Sequence, residues 1–367
     1  MSKNKKVVAV ICGGRSREHE VSLQSAYYVF NNLDRKKYQR VLLGIDKKGH
    51  WHFASSYNDL VIQKEPLGKM KDGLAEVVLV KKGKGVYVLN LGQKKIIGKI
   101  DIFFPLIHGP YGEDGCLQGY LELLGLPYVG ADVLGSALAM DKEYTKRLLQ
   151  AESIPVTPFM VLYRGESKNR EKARKMVRKY RFPLFVKPAC LGSSIGISKA
   201  FNLRELKKAI TLAFHYDNKI ILEKGIKGRE IECSVLGNKN PQASLPGEIK
   251  PRHNFYSYAA KYLDSKGADL LTPALLSVTL TKKVQQLSQK AFQVLSLKGM
   301  ARIDFFLSSR GKLIVNEVNT IPGFTQISMY PKLWQVSGLK YSKLLDKLLK
   351  LAEESYQEKK LKFNYKQ

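Results

Sequence analysis

The chain has 367 residues, enough at about 100 to 200 residues per domain for two or three domains with full hydrophobic cores. Hydrophobic residues make up 44% and charged residues 26%, which excludes a disordered or collagen-like chain; no apolar run approaches the ~18 residues that span a bilayer, so neither a signal peptide nor a membrane span is expected. The net charge of +30 is spread evenly: residues 1–134 carry 20 basic and 13 acidic residues (+7), 135–226 carry 19 and 8 (+11), and 227–367 carry 23 and 11 (+12). A nucleic-acid binder gathers its cations on one stripe and favours arginine, whereas 47 of these 62 are lysine, so the charge reads as a solvated surface that draws anionic substrates. Four cysteines without CxxC spacing suggest neither a zinc site nor a disulfide framework and fit a reducing cytoplasm.

In chain order, the apolar, β-branched run 7–12, the Gly13-Gly14 turn and a helix from Ser22 read as the opening of an α/β unit. Further strands are expected at 41–45 and 102–107; the stretch 51–99 between them, with hairpin-like pieces at 77–80 and 86–89, reads as a peripheral insertion. A helix at 116–124 ends at Gly125, a suitable left-handed cap. A helix at 141–151 and a Pro-containing linker at 154–158 lead to a basic helix (168–180), a strand (183–187), a glycine-rich loop, a helix (203–214) and a strand (220–223). Strands at 230–236, 301–307 and 313–318 and a leucine-rich helix at 342–352 follow, with a lysine-rich tail after Glu358 expected to fray. The domains expected are 1–134, 135–226 and 227–367.

The strand pair 301–307 and 313–319 carries the strongest chemical signal. Pairing Ser308 with Leu313 sets Asp304 opposite Glu317 and Arg302 opposite Asn319, and puts Ile303, Phe305, Leu307, Ile314 and Val318 on the other face. Facing carboxylates repel unless a cation lies between them, and Asp, Glu and Asn oxygens suit Mg²⁺; an amphipathic hairpin whose acids Arg302 neutralises is the simpler alternative. The strand ending in Lys187 runs into Gly192-Ser193-Ser194-Ile195-Gly196, whose backbone N–H groups suit phosphate oxygens, although it is not a Walker loop. Glu20, and the run from His108 to Gly115, lie at carboxyl ends of strands, where open α/β sheets place ligands.

Together and in this order, these pieces resemble the D-alanine:D-alanine ligases of the ATP-grasp superfamily. The resemblance is carried by Glu20-Val21-Ser22-Leu23, His108 to Gly115, Ala139-Met140-Asp141-Lys142, Gly192 to Gly196, Tyr258-Ala259-Ala260-Lys261-Tyr262, Asn316-Glu317-Val318-Asn319 and Pro322-Gly323, over about residues 5–350. It implies a mixed α/β fold, an N-terminal open parallel sheet and two α+β domains clasping ATP. It also implies that Lys142 and Lys187 hold the ATP phosphates, with the loop of Gly192 and Ser194 closing over them; Glu223, Lys224 and Ile226 form the adenine hinge, and Glu230 binds the ribose. Asp304, Glu317 and Asn319 match ligands of two Mg²⁺ or Mn²⁺ ions, and K⁺ is a further cation of the family. Arg302 and the backbone of Gly323 match the oxyanion-stabilising group. Glu20 matches the carboxylate that receives the ammonium of the first D-alanine, linked through Ser193 to Tyr262; His108 lies near that D-alanine, and Ser328 where the carboxylate of the second is bound.

The activity implied is ATP-dependent synthesis of D-alanyl-D-alanine through an acyl phosphate, for peptidoglycan precursors, by a cytoplasmic homodimer that binds small molecules and neither nucleic acid nor membrane. A lid over residues 255–273 is expected to exclude water. Ser257, Ala260, Cys190 and Met329 depart from the commonest family pattern, at positions without assigned chemistry. The nearest rival is a ligase of the same fold that joins D-alanine to D-lactate or D-serine; Tyr262-Leu263 after Ala-Lys favours the dipeptide enzyme. A basic nucleic-acid-binding protein is the distant one.

Overall fold

The computed structural model describes residues 5–62, 67–193, 195–252 and 268–362. The N-terminal part is built as β1 (Lys6–Gly13), α1 (His19–Asn32), β2 (Tyr38–Ile45), β3 (Trp51–Ala54), α2 (Tyr57–Leu60), β4 (Val61–Ile62), β5 (Lys69–Met70), β6 (Glu76–Lys82), β7 (Gly85–Asn90), β8 (Lys95–Ile100), β9 (Ile102–Pro105), α3 (Cys116–Leu124) and α4 (Val133–Met140). Its seven-stranded sheet has the order β8-β7-β6-β3-β2-β1-β9, with β1 parallel to both β2 and β9. Alternate residues of β1 feed opposite cores: Val8, Val10 and Cys12 pack with Leu23 and Leu42, while Ala9 and Ile11 pack with Leu43, Phe103 and Leu121. Burial on both faces explains why β1 reads as an unbroken apolar run.

The stretch 51–99 is not a peripheral insertion. Its strands β3, β6, β7 and β8 extend the same sheet, because β3 pairs antiparallel with the free edge of β2 and covers it.

The middle of the chain comprises α5 (Lys142–Ala151), β10 (Phe159–Tyr163), α6 (Asn169–Tyr180), β11 (Leu184–Pro188), β12 (Ser198–Ala200), α7 (Leu203–Tyr216) and β13 (Lys219–Lys224). An antiparallel sheet of order β10-β13-β11-β12 carries α6 and α7 on one face, around Leu162, Met176, Leu184, Leu206 and Ile220. The last part holds β14 (Gly228–Gly237), β15 (Gln242–Ala243), β16 (Gly247–Pro251), β17 (Ala268–Leu271), α8 (Val278–Val294), β18 (Gly299–Ser308), β19 (Leu313–Asn319), α9 (Met329–Val336) and α10 (Tyr341–Lys362). Its sheet runs β17-β16-β14-β18-β19, with β15 beside β14, and packs on α8 through Phe292, Ile303, Phe305 and Val315.

The last helix departs from expectation twice. Leu344, Leu345, Leu348 and Leu349 of α10 join the core of β1 and α1, so this helix closes the N-terminal sheet. It also runs on to Lys362, past the expected start of fraying at Glu358, because the Tyr356 hydroxyl donates to Gly125 O (2.6 Å) and Lys359 pairs with Glu122; residues 363–367 of the expected tail lie outside the described residues. Among the described residues no helix is long and apolar enough to cross a membrane.

Candidate active site

The loop between β1 and α1 presents a carboxylate to the glycine-rich loop. Ser22 fixes this turn, accepting from Gly13 N (2.8 Å) and donating to Leu106 O (2.7 Å). The side chain that meets Ser193 is Glu18, which accepts its hydroxyl proton; Glu20, the expected partner, instead pairs with Lys47 at 2.5 Å. The reason is position on the helix: Glu20 lies inside the first turn of α1 and meets Lys47 just past β2, while Glu18 precedes the helix and meets the glycine-rich loop. Gly109 leaves room for it, since a Cβ there would lie 3.1 Å from Glu18 Oε2.

On the phosphate side, Lys142 opens α5 just after its N-cap Asp141 and its ammonium donates to Leu191 O. Lys187, at the end of β11, contacts Glu223 Oε2 (2.7 Å) and Asn316 Oδ1 (3.3 Å). The other oxygen of Glu223 meets Lys146 at 2.9 Å, a charge contact without hydrogen-bond alignment. Burial opposes the Lys187 charge, yet Glu223 holds its pKa above the ordinary lysine value; burial likewise opposes ionisation of Glu223, but the two lysines bring its pKa down to about 2. A cleft of about 530 Å³ opens beside them, between the sheets of β11–β13 and β14–β19, and Gly192, Lys224, Ile226, Glu230, Asp304 and Glu317 line it with Lys187 and Glu223.

The strand pair β18–β19 keeps the expected facing of Asp304 with Glu317 and Arg302 with Asn319, but its far end is shifted. Leu307, not Ser308, pairs with Leu313, and a bulge opposite Asp304 and Phe305 absorbs Asn316. Leu313 and Val315 therefore enter the core, Ile314 pairs with Phe306 on the other face, and Asn316 reaches Lys187. Arg302 grips Asp304 in a fork (Nε–Oδ1 and Nη2–Oδ2, both 2.7 Å) and lies 3.0 Å from Glu232 on β14. Burial opposes its charge, but Asp304 and Glu232 hold its pKa well above the ordinary arginine value.

This donor set fits a hard divalent cation. Three carboxylates, Glu232, Asp304 and Glu317, share one arginine, and Asn319 spends its Nδ2 on Asp304 (3.0 Å), which leaves its Oδ1 as a donor atom for a metal. Among the described residues no three His, Cys, Asp or Glu side chains gather at metal-ligand spacing, so the set offers only part of a metal's shell, two facing carboxylates with the Asn319 amide beside them.

Beyond β19, Gly323 and Ser328 touch: a Cβ at 323 would lie 2.6 Å from Ser328 Oγ, which is held by Thr325 N (3.0 Å) and Thr325 Oγ1 (2.8 Å). His108 is buried with both ring nitrogens engaged, Nδ1 on Ile321 O (2.9 Å) and Nε2 on Ser25 Oγ (3.1 Å), and burial lowers its pKa. Tyr262, with most of the expected lid, and Ser194 lie outside the described residues.

The same architecture recurs in known proteins. Residues 7–131 match the family model described as D-ala D-ala ligase N-terminus, and residues 148–350 match D-ala D-ala ligase C-terminus. The chain belongs to the D-alanine–D-alanine ligase family. A D-alanine–D-alanine ligase of Thermoanaerobacter sp. (strain X514) is 49% identical over 357 residues, covering 97% of this chain and 98% of the relative. The structure of the D-alanine-D-alanine ligase from Coxiella burnetii superposes with a TM-score of 0.85 at 39% identity, covering 97% of this chain and 96% of its own. The VanG D-Ala:D-Ser ligase from Enterococcus faecalis gives 0.82 at 35%, covering 95% and 100%. The fold is thus the mixed α/β ATP-grasp architecture of these ligases.

Sequence reasoning missed Glu18, Glu113, Lys146, Glu232 and Asn316. Three of them left a signal: Lys146 lies four residues after Lys142 on one helix, Glu113 lies inside the His108 to Gly115 run, and Asn316 opens the Asn316 to Asn319 run. The turn of Asn316 toward Lys187 left none, since strand alternation cannot foresee a bulge.

Proposed function

We propose that this protein joins two D-alanines into D-alanyl-D-alanine, converting ATP to ADP and phosphate, as a supplier of peptidoglycan precursors. The observation that carries the reading is the meeting of three chemistries around one region: the Lys142 and Lys187 cations, the Asp304–Glu317–Asn319 set beside Arg302, and the Glu18–Ser193 contact from the opposite domain.

A carboxylate is a poor electrophile, so the γ-phosphoryl group is first transferred to the carboxylate of one D-alanine, giving an acyl phosphate and ADP. Glu18 receives the ammonium of this D-alanine, in place of Glu20. Lys142 and Lys187 bind phosphate oxygens; when Lys187 turns from Glu223, Lys146 still balances that carboxylate. Asp304, Glu317 and Asn319 hold two Mg²⁺ or Mn²⁺ ions, which supply charge neutralisation at the phosphoryl group. The backbone and side chains of Glu223, Lys224 and Ile226 hold adenine, Glu230 the ribose, and the loop of Gly192 and Ser194 the phosphates. The neutral amine of the second D-alanine, its carboxylate at Ser328, then attacks the acyl carbon. Arg302 and the Gly323 N–H stabilise the oxyanion, Ser193 and Tyr262 assist removal of the amine proton, and phosphate leaves. K⁺ as a further cation, a homodimer and a cytoplasmic setting belong to the same reading.

A second reading, D-alanine joined to D-serine or D-lactate, draws support from the likeness to a D-Ala:D-Ser ligase. Phosphate release from ATP, with products resolved by mass, is measured with D-alanine, L-alanine, D-serine and D-lactate. D-Alanine alone is expected to sustain release and yield dipeptide. No release with D-alanine overturns the reading, and mixed product in excess of dipeptide selects the second.

A further inference from the structure

Pro322 and Gly323 form a short span whose neighbouring peptides are both held from the N-terminal domain. Ile321 N donates to Glu113 Oε1 (3.0 Å), and the other oxygen of Glu113 accepts from Gly109 N (2.8 Å). Ile321 O accepts from His108 Nδ1 (2.9 Å), which fixes the tautomer: Nδ1 carries the proton and Nε2 accepts from the Ser25 hydroxyl (3.1 Å). The Ser25 oxygen in turn accepts from Phe324 N (3.4 Å). His108 and Ser25 are buried, and the two backbone donors occupy one Glu113 oxygen each. A side chain with both ring nitrogens taken by protein has no ring donor or acceptor left for substrate.

We propose that Glu113 and His108 are positioning residues for amine attack: from the N-terminal domain they grip Ile321, just before Pro322–Gly323, while His108 also holds the Ser25 hydroxyl that meets Phe324 N just after it, and so they aim the Gly323 N–H at the oxygen that takes up negative charge. The inference rests on the ligase reading above, and it removes His108 from direct contact with D-alanine. The domain that receives the first D-alanine through Glu18 thereby also sets the oxyanion group, which stands on a different domain. Phosphoryl transfer to D-alanine forms no tetrahedral carbon and does not use this grip.

The two half-reactions separate the roles. With the full-length enzyme at pH 8, D-alanine-dependent scrambling of ¹⁸O from the β,γ-bridge of ATP reports reversible phosphoryl transfer, and mass-resolved dipeptide reports the whole reaction. In Glu113→Gln the amide offers one acceptor to two backbone donors. We expect its scrambling rate and KM for ATP to stay within about 3-fold of wild type while dipeptide kcat falls by about 30-fold or more, short of the about 10²- to 10³-fold known for deleting an oxyanion donor. His108→Ala should behave likewise. His108→Asn, whose amide nitrogen replaces Nδ1 as donor to Ile321, should recover most of the dipeptide rate. Dipeptide kcat within about 3-fold of wild type in Glu113→Gln, or a parallel fall of scrambling and dipeptide, overturns the proposal. Failure of His108→Asn to improve on His108→Ala removes His108 from it. A wild-type enzyme that gives neither D-alanine-dependent scrambling nor dipeptide overturns the ligase reading beneath it.

Discussion

Two glutamates two positions apart have separate fates. Glu18 meets Ser193, whereas Glu20 is tied to Lys47, which holds its pKa below the ordinary value although burial works the other way. Glu18→Gln is therefore expected to raise KM for the first D-alanine by about 10-fold or more, the worth of a charge-assisted contact, while Glu20→Gln stays near wild type. The reverse ordering in steady-state kinetics would restore Glu20 to the site. A second residue-scale prediction concerns Glu113, whose pKa burial and the charge of Glu18 push up to about 7 from the ordinary 4.5. Between those values the folded protein holds a proton that the unfolded chain has lost, so this group's contribution to stability falls as pH rises from about 4.5 to 7 and is level above. At 1.36 kcal/mol per pKa unit the fall approaches about 3 kcal/mol. The melting temperature of wild type relative to Glu113→Gln should therefore drop by about 4 °C from pH 5 to pH 8. A difference independent of pH would show that the carboxyl titrates normally.

At the scale of elements, the hairpin β18–β19 shows how one inserted residue joins packing to chemistry. Without the bulge, Asn316 would face the core beside Phe305; with it, Val315 and Leu313 fill that core and the amide reaches Lys187 across the cleft. Beyond the bulge, the polar row of Arg302, Asp304, Glu317 and Asn319 sits on a well-packed sheet, so its side chains are held in place. Glu317→Gln removes one of the three carboxylates that share Arg302. Turnover should fall by about two orders of magnitude or more with the fold intact, since the lost charge supports the metal. Near wild-type turnover at saturating Mg²⁺, with an unchanged circular-dichroism spectrum, would remove Glu317 from the metal site.

Across the whole molecule, the +30 charge lies on solvated lysines of all parts of the chain while the cleft concentrates its own pairs, Lys187 with Glu223 and Arg302 with Asp304. Binding to duplex DNA should accordingly be weak and vanish between about 50 and 200 mM salt, because scattered phosphate contacts are lost by counterion competition. Gel-shift binding that survives 200 mM with sequence preference would reopen nucleic acid as a partner. The same scale explains α10, whose leucines seal the N-terminal sheet and bind the ends of the chain into one core.

What the sequence determined by itself were the features with a local physical cause. The two-faced burial of β1 shows as an unbroken apolar run and the cap at Gly125 as a glycine with φ of 68°, whereas the facing of Asp304 with Glu317 needs the bulge as well, since alternation from the Leu307–Leu313 pair alone would set Asn316 opposite Asp304. The order of motifs marked the family. Tertiary structure alone decided which of Glu18 and Glu20 faces Ser193, because both lie at the start of one helix and only the approach of the glycine-rich loop distinguishes them. It alone joined 51–99 to the main sheet, placed Lys146 under Glu223, and set His108 and Glu113 around the Ile321 peptide. For the side-chain contacts the physical reason is common: their partners stand 77 positions apart for Lys146 and Glu223, 175 for Glu18 and Ser193 and 213 for His108 and Ile321, and no local periodicity or turn preference encodes such a partner.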